Sequence, residues 1–334
     1  MMPALGGVAV VGDVFCDIIV RGVARLPDWG EETFGLEPVL CPGGVANVAV
    51  GLARLGVPTV LLGRTRANDT IGSVLATELA KQEHLEVEWL RTSPSTAITV
   101  ALPHGGERAM ISYVPPAEDR PLAPVVPWHG LDRVTHLHVG GWTEGRDALA
   151  DQAAVLEGAH ERGMTTSLDV SWQQEPELAA RLRDLLSHVD LFVPNLAEAC
   201  WVAGTTDAEE ALVRLARIVP TVVVKLGGGG AMARSGDLVE RVHGHEIPVV
   251  DTTGAGDAFA AGFLHGHTRR WPLARSLALA NACGALSVGR IGSSISVPTR
   301  REAFTALERG FETRLEPALE PALSGGHARM RKEA

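Results

Sequence analysis

The sequence predicts an α/β protein built on a mostly parallel sheet with helices on both faces. Three observations carry this. Short runs that are apolar throughout and rich in β-branched residues recur along the chain. Longer segments with the apolar spacing of helices separate them. Strands that lack an alternating polar face belong in sheets covered on both sides. The 334 residues, 46% of them hydrophobic, suffice for one large core without cross-links.

The elements follow in order. "VAVVGDVFCDIIV" (residues 8–20) reads as a strand followed by a polar turn, because Asp13 breaks the apolar run. No basic segment precedes it, so it does not read as a signal peptide. "VANVAVGLARLG" and "TIGSVLATELAK" read as helices on either side of the strand "TVLLG". "VTHLHVG", "TTSLDV", "DLFVPN" and "TVVVKLG" are further strands. Between them lie the helical segments "GRDALADQAAVLEGAHERG", "PELAARLRDLLSH" and "AEEALVRLARIV". Two regions, about residues 26–40 and 95–114, instead suggest short alternating strands, with "HGG" (His104 to Gly106) as a hairpin connection. The simplest account is a small β-lobe inserted into the α/β domain as a lid, formed by segments near 18–40 and 93–115. An edge extension of the main sheet is the alternative. "TRREAFTALERG" reads as a surface helix after Pro298 and brings the domain to about residue 310. Residues 311–334 mix Pro, Gly and charge and read as a tail that orders only on docking.

Composition narrows the function. Cys16, Cys41, Cys200 and Cys283 are scattered without C-x-x-C spacing, which reads as reduced thiols in a cytoplasmic protein. No window of 18 uninterrupted apolar residues suggests a membrane span. A formal charge of −10 argues against general nucleic-acid binding while allowing a local basic pocket for a small anion.

Three glycine-rich stretches bear on chemistry. In "CPGGVANVAVGLARLG", Gly43 and Gly44 precede a helix with Asn47 in its first turns. They suit either a close ligand or a plain strand-to-helix turn. "VVVKLGGGGAMAR" is neither of the common phosphate-loop patterns; it is a turn between strands or a place where backbone meets a nucleotide. "DTTGAGDAFAAGFL" brackets Ala255 with Gly254 and Gly256 and puts Asp257 in the first turn of a small-residue helix. Helix-initial N–H groups and the helix dipole together favour an anion there. Asp257 could merely cap the helix, but a simple cap has no use for two glycines. Phosphoryl transfer to an alcohol needs both a carboxylate to take the proton and donors aimed at the phosphoryl oxygens. On this reading the dipole keeps Asp257 ionised and weakly basic.

With "NDTIG", "GGERAMISY", "NLAE" and "NACGALSVGRIGS", these stretches resemble the PfkB, or ribokinase-like, carbohydrate kinases from Gly6 to about Pro298. The resemblance implies a three-layer ribokinase-like fold with a β-lid and an ATP-dependent kinase that uses Mg²⁺. It also implies a homodimer joined through the lid and a small sugar-like substrate. Asp257 matches the catalytic base, and Gly254, Ala255 and Gly256 match the anion hole. Asp17, Gly43, Gly44 and Asn47 match residues that hold the sugar, with Asp13 close by. Asn195 and Glu198 match an N-x-x-E pair linked to Mg²⁺ and phosphate; their spacing also suits a plain helix cap. Lys225, Gly227 and Gly230 match the turn near the nucleotide, and Asn281 and Gly284 the helix bordering adenine. Asp251, Thr252, Arg290, Gly292 and Ser294 resemble a monovalent-cation site, for which K⁺ is the expected ion.

The chain departs from the family in three places. Lys225 stands where threonine or serine is common, which suggests a charged contact to phosphate. "DVSWQ" keeps Asp169 but has Ser171 for the family's asparagine. "GGWTE" lacks the acid that holds sugar in ribokinases proper, so Gly141 and Trp142 form a more apolar wall. Arg64, Arg108, Tyr113 and Trp142 are candidate rim residues, and either arginine could meet an anion on the substrate. Two other readings stand beside a sugar kinase: a nucleoside kinase whose base pocket uses Phe15, Met110 and Trp142, and a non-catalytic binder of sugar or nucleotide.

Overall fold

The computed structural model describes residues 6–66, 68–90, 94–104, 107–115, 121–140, 146–170 and 176–308. Trp142, Ser171 and the 311–334 tail lie outside them, as does the side chain of Arg108. Strand β1 spans Gly7–Arg21 and β2 Glu37–Gly44, followed by helix α1 (Ala46–Arg54), β3 (Thr59–Arg64), α2 (Thr70–Leu79) and β4 (Leu85–Leu90). The hairpin partners β5 (Ala97–His104) and β6 (Glu107–Tyr113) follow. Then come β7 (Val134–Val139), α3 (Arg146–His160), β8 (Thr165–Leu168), α4 (Pro176–Leu185), β9 (Leu191–Phe192), α5 (Leu196–Ala203) and α6 (Ala208–Leu215). The chain continues through β10 (Thr221–Lys225), β11 (Ala231–Ser235), β12 (Leu238–Val242), α7 (Ala255–His267), α8 (Leu273–Val288) and α9 (Arg300–Glu308).

The main sheet runs β12-β11-β10-β9-β8-β7-β1-β3-β4, parallel from β10 to β4 and closed at the other edge by the antiparallel β11 and β12. Val8, Ala9, Val10 and Val11 are all fully buried. Alternate residues of this run point into two cores, which is why it carries no polar alternation. On one face Ala9, Val11, Leu137 and Val222 meet apolar residues of α3, α4, α5 and α6. On the other Val8, Val10, Leu61 and Val223 meet those of α1, α2, α7 and α8. The result is three layers.

β1 does not end in a polar turn at Asp13, contrary to the reading from sequence. Its first half pairs with β3 and β7, and residues 14–21 leave the main sheet to pair with β2. Gly12 makes this possible: at φ 152°, its Hα-only side lets Val45 and the Gly140 carbonyl approach to within 2.6 and 2.9 Å of where a Cβ would sit. The chain thus changes sheets without ending a strand. The outer half of β1 joins β2, β5 and β6 in a second sheet of order β2-β1-β5-β6. The expected short strands near 26–36 are absent; residues 22–36 form turns and irregular backbone, and only the part from Glu37 onward is a strand.

Candidate active site

The carboxyl ends of β8 and β10 and the middle of β1 carry candidate residues near the amino end of α7. Gly254 caps α7 in the left-handed region at φ 75°, where a side chain would also press on the Ser293 backbone at 3.0 Å. The first bond of the helix is Ala258 N–H to the Gly254 carbonyl at 2.8 Å. The N–H groups of Gly256 and Asp257 come before it and have no helical carbonyl to meet. Asp257 is the third helical residue, yet its carboxylate does not cap its own helix. It accepts a 2.8 Å bond from Asn47 Nδ2 of α1. Asn47 is buried, and its Oδ1 has no partner among the described residues.

Lys225, at the end of β10, bonds Asp169 Oδ2 at 2.9 Å. Its Nζ lies 3.4 Å from where a Gly256 side chain would begin, which puts an ammonium beside the glycine turn. Asp169, Glu198 and Asp257 all act on Lys225; burial opposes its charge, but these carboxylates hold its pKa above the usual lysine value. Burial, reinforced by Asp169, raises the Asp257 carboxyl from 3.8 to about 6 against the pull of Asn47 and Lys225. The expectation that the helix dipole keeps Asp257 weakly basic is therefore overturned, because desolvation and a like-charged neighbour outweigh it. Burial likewise lifts Glu198 to about 7, with Lys225 opposing.

Asn195 and Glu198 form a reciprocal cap on α5: Glu198 N–H donates to Asn195 Oδ1 at 2.9 Å and Asn195 N–H to Glu198 Oε2 at 2.8 Å. The local structural reading is realised, and Glu198 is nonetheless buried within the field of Asp169, Lys225 and Asp257. Asp17 is buried on β1 with its carboxylate lying over Gly43, where any side chain would collide with it. Its charge reaches Asp257.

Asp13 is paired with an arginine. Arg64 holds it with two bonds, Nε to Oδ1 at 2.7 Å and Nη2 to Oδ2 at 2.9 Å, with both side chains buried. This corrects the reading of Arg64 as a rim residue: adjacent parallel strands place it opposite Asp13. Tyr113 is half-exposed on β6 and bonds Ser95 Oγ at 3.0 Å. Arg108 lies on β6 opposite Pro103.

A cavity of about 590 Å³ opens beside Lys225, Ala255 and Gly256, within the size range of small-molecule sites. Asn195, Gly227, Gly230, Asn281 and Gly284, expected near the nucleotide, line it, and so does Thr252, expected at the monovalent-cation site. Ile247, Val249, Phe259 and Val288 add apolar walls that sequence reasoning missed. Asn281 Nδ2 secures one wall by donating to the carbonyls of Val242 and His243 at 3.2 and 3.1 Å. The other residues expected around a monovalent cation are engaged internally. Asp251 accepts from Thr253 N, Thr253 Oγ1 and Gly292 N, and Arg290 pairs with Glu302 at 2.7 Å. Ser294 is buried. Among the described residues no cluster of three ligating side chains could hold a metal ion unaided.

The profile of the pfkB family carbohydrate kinases matches residues 8–300. A fructokinase of Klebsiella pneumoniae is 30% identical over 326 residues, covering 90% of this chain and 99% of that protein. An Escherichia coli protein described as a ribokinase II, solved in complex with ATP and Mg²⁺, aligns with a TM-score of 0.79. It is 23% identical and covers 91% of this chain and 100% of its own. The adenosine kinase of Sinorhizobium meliloti aligns at 0.75 with 26% identity, over 92% of this chain and 100% of that one.

Proposed function

The chain belongs to the pfkB family of carbohydrate kinases and is a phosphotransferase; from that premise we propose that it moves the γ-phosphoryl group of ATP to a hydroxyl of a small sugar-like acceptor. The observation that carries this reading is the placement of Asp257. Its carboxylate sits in the first turn of α7, tied to Asn47 on one side, with Lys225 and the Gly254–Gly256 turn beside it. The acceptor lies between Asp17, Asn47 and Asp257. Gly43 lets the Asp17 carboxylate lie over the backbone beside it.

In the transfer, the acceptor oxygen forms its bond to the γ-phosphorus as its proton passes to Asp257, and the bond to the ADP oxygen breaks. A carboxylate lifted to about 6 is a stronger base than an exposed one and is still ionised at neutral pH. The N–H groups at Gly256 and Asp257 and the Lys225 ammonium meet the charge on the transferring oxygens. Asn281, Gly284 and the apolar walls hold the base and ribose of the nucleotide. Three carboxylates facing one lysine, Asp169 and Glu198 of them buried, suit a divalent cation that keeps much of its water and binds phosphate, with Glu198 and Asn195 as its protein contacts. Mg²⁺ there would neutralise phosphate charge. With the Asp251 carboxylate and Arg290 engaged, K⁺ at the 251–294 loops would rely on main-chain carbonyls.

A nucleoside acceptor is the second reading, favoured by the likeness to an adenosine kinase. Phosphorylation assays with ADP detection across sugars, sugar acids and nucleosides, with and without K⁺, separate the two. Release of ADP with no acceptor class would overturn both.

We also assign the lid to a homodimer contact. Leu40, Ile18, Val100 and Ile111 pair in register across its four strands and so form one apolar row on one face. Leu40 is 49% exposed and Ile111 75%, and a second copy of the same row would cover them.

A further inference from the structure

A second polar chain, buried at His136, Ser167 and His138 and reaching the exposed Thr165, lies between the sheet and α7, and the transfer chemistry above leaves it unused. Thr165 Oγ1 donates to the Thr135 carbonyl at 3.3 Å and lies 2.8 Å from His136 Nδ1. His136 Nε2 is 2.7 Å from Ser167 Oγ, which is 2.8 Å from His138 Nδ1. The His267 ring of α7 meets His136 edge-on. His138 is fully buried, and its Nε2 has no partner among the described residues. His138 stands opposite Ser167 across β7 and β8, and Asp169, which holds Lys225, follows two residues after Ser167 on the same segment.

The hydrogens along this chain can be assigned. Each hydroxyl has one to give, and each neutral imidazole has one. Burial keeps both histidines neutral, with His267 adding to it at His136 and Lys225 adding to it at His138, which is lowered to about 3. Thr165 gives its hydrogen to Thr135, so His136 Nδ1–H donates to Thr165. His136 Nε2 then accepts from the Ser167 hydroxyl, and Ser167 accepts from His138 Nδ1–H. That leaves His138 Nε2 as a bare lone pair. The opposite polarity would leave a buried N–H in the field of the Lys225 ammonium.

We propose that His138 is a positioning residue for Lys225: its Nε2 lone pair takes, through one water, a second hydrogen of the ammonium whose first goes to Asp169. The third hydrogen is then directed to the phosphate-binding turn at Gly256. The Thr165–His136–Ser167 chain exists to fix the tautomer that makes this acceptor. The inference rests on the reading that Lys225 meets the phosphates of ATP.

The test uses the full-length protein. Calorimetric titration with ATP and Mg²⁺ compares wild type, His138→Leu, Lys225→Met and the double variant. The expected result is about tenfold weaker binding for each single variant and no further loss in the double. His138→Gln, which keeps an acceptor near the Nε2 position, recovers to within about threefold. Ser167→Ala retains both imidazoles and serves where the Leu variant does not fold; its binding weakens about threefold. ¹⁵N spectra of labelled histidine should show His138 protonated at Nδ1. An Nε2–H signal, additive losses in the double variant, or wild-type binding in His138→Leu each overturn the inference alone. A wild type that fails to bind ATP overturns the nucleotide reading and this inference with it.

Discussion

Asn47 Nδ2 donates to Asp257 Oδ2 at 2.8 Å, joining two helices whose residues stand 210 positions apart in the chain. The bond orients the proposed base, and it favours the ionised form, since an N–H donor stabilises a carboxylate. Asn47→Leu therefore has two expected effects. Turnover falls on the order of 10²-fold through lost orientation. The acidic limb of the pH–rate profile moves to higher pH, because the removed bond had been lowering the Asp257 pKa. Steady-state rates between pH 5 and 8 test both. An unshifted limb would show that another group governs it.

In the wild type that limb should fall near pH 6. Asp257 must be ionised to take a proton, and burial holds its pKa at about 6 in the free enzyme. kcat/KM for the acceptor is expected to drop tenfold per pH unit below this value and to level off above it. A midpoint near 4, typical of an exposed carboxylate, would contradict the assigned environment.

Asp257→Asn should separate function from stability. Turnover falls by about 10²–10⁴-fold while ATP still binds. The native state favours the protonated acid, so its stabilising contribution is complete below the ordinary pKa of 3.8 and is lost as pH rises through about 6. At pH 8 the ionised carboxylate costs stability on the order of 3 kcal/mol, which the amide removes. Urea unfolding should show the variant more stable at pH 8, with the gain vanishing near pH 4. Equal stability at both would mean the charge is well solvated.

Asp13 and Arg64 call for a different outcome. Their pair is buried on both sides, so Asp13→Ala leaves an uncompensated guanidinium and should cost about 3–5 kcal/mol. The double variant Asp13→Leu, Arg64→Met should recover much of that loss. If Asp13→Ala instead unfolds at the wild-type urea midpoint but fails to bind acceptor, Asp13 is a substrate contact after all.

These cases mark how far the sequence could be read. The Asp257 turn and the Asn195–Glu198 cap are local: their spacing along the chain settles which backbone groups they can reach. The alternation of apolar strands and helices likewise predicts the layers. The Asp13–Arg64 bond depends instead on the register of two parallel strands, and the apolar walls at Ile247 and Val249 come from a segment with no periodic signal. The raised pKa of Asp257 was invisible because burial comes from distant parts of the chain, whereas the dipole that pointed the other way is local. The full length of β1 is hidden in the sequence for a related reason. Asp13 looks like the end of a strand until its arginine partner is in place, and Gly12 looks like a turn until the second sheet is there to receive the chain.

The lid supplies the last test. Leu40, Ile18, Val100 and Ile111 lie in one cross-strand row, and Ile111 is 75% exposed. A residue so exposed adds little to the stability of a single chain but would lose its contact in a dimer. Ile111→Glu should therefore leave the urea midpoint of a monomeric sample within about 0.5 kcal/mol of wild type. It should also weaken self-association at least 10-fold, since a charge would meet its own copy across a two-fold axis. Sedimentation velocity over a range of concentrations reads this directly. A wild type that stays monomeric at all of them would remove the lid from any role in assembly, and an Ile111→Glu dimer of unchanged affinity would move the contact to another face.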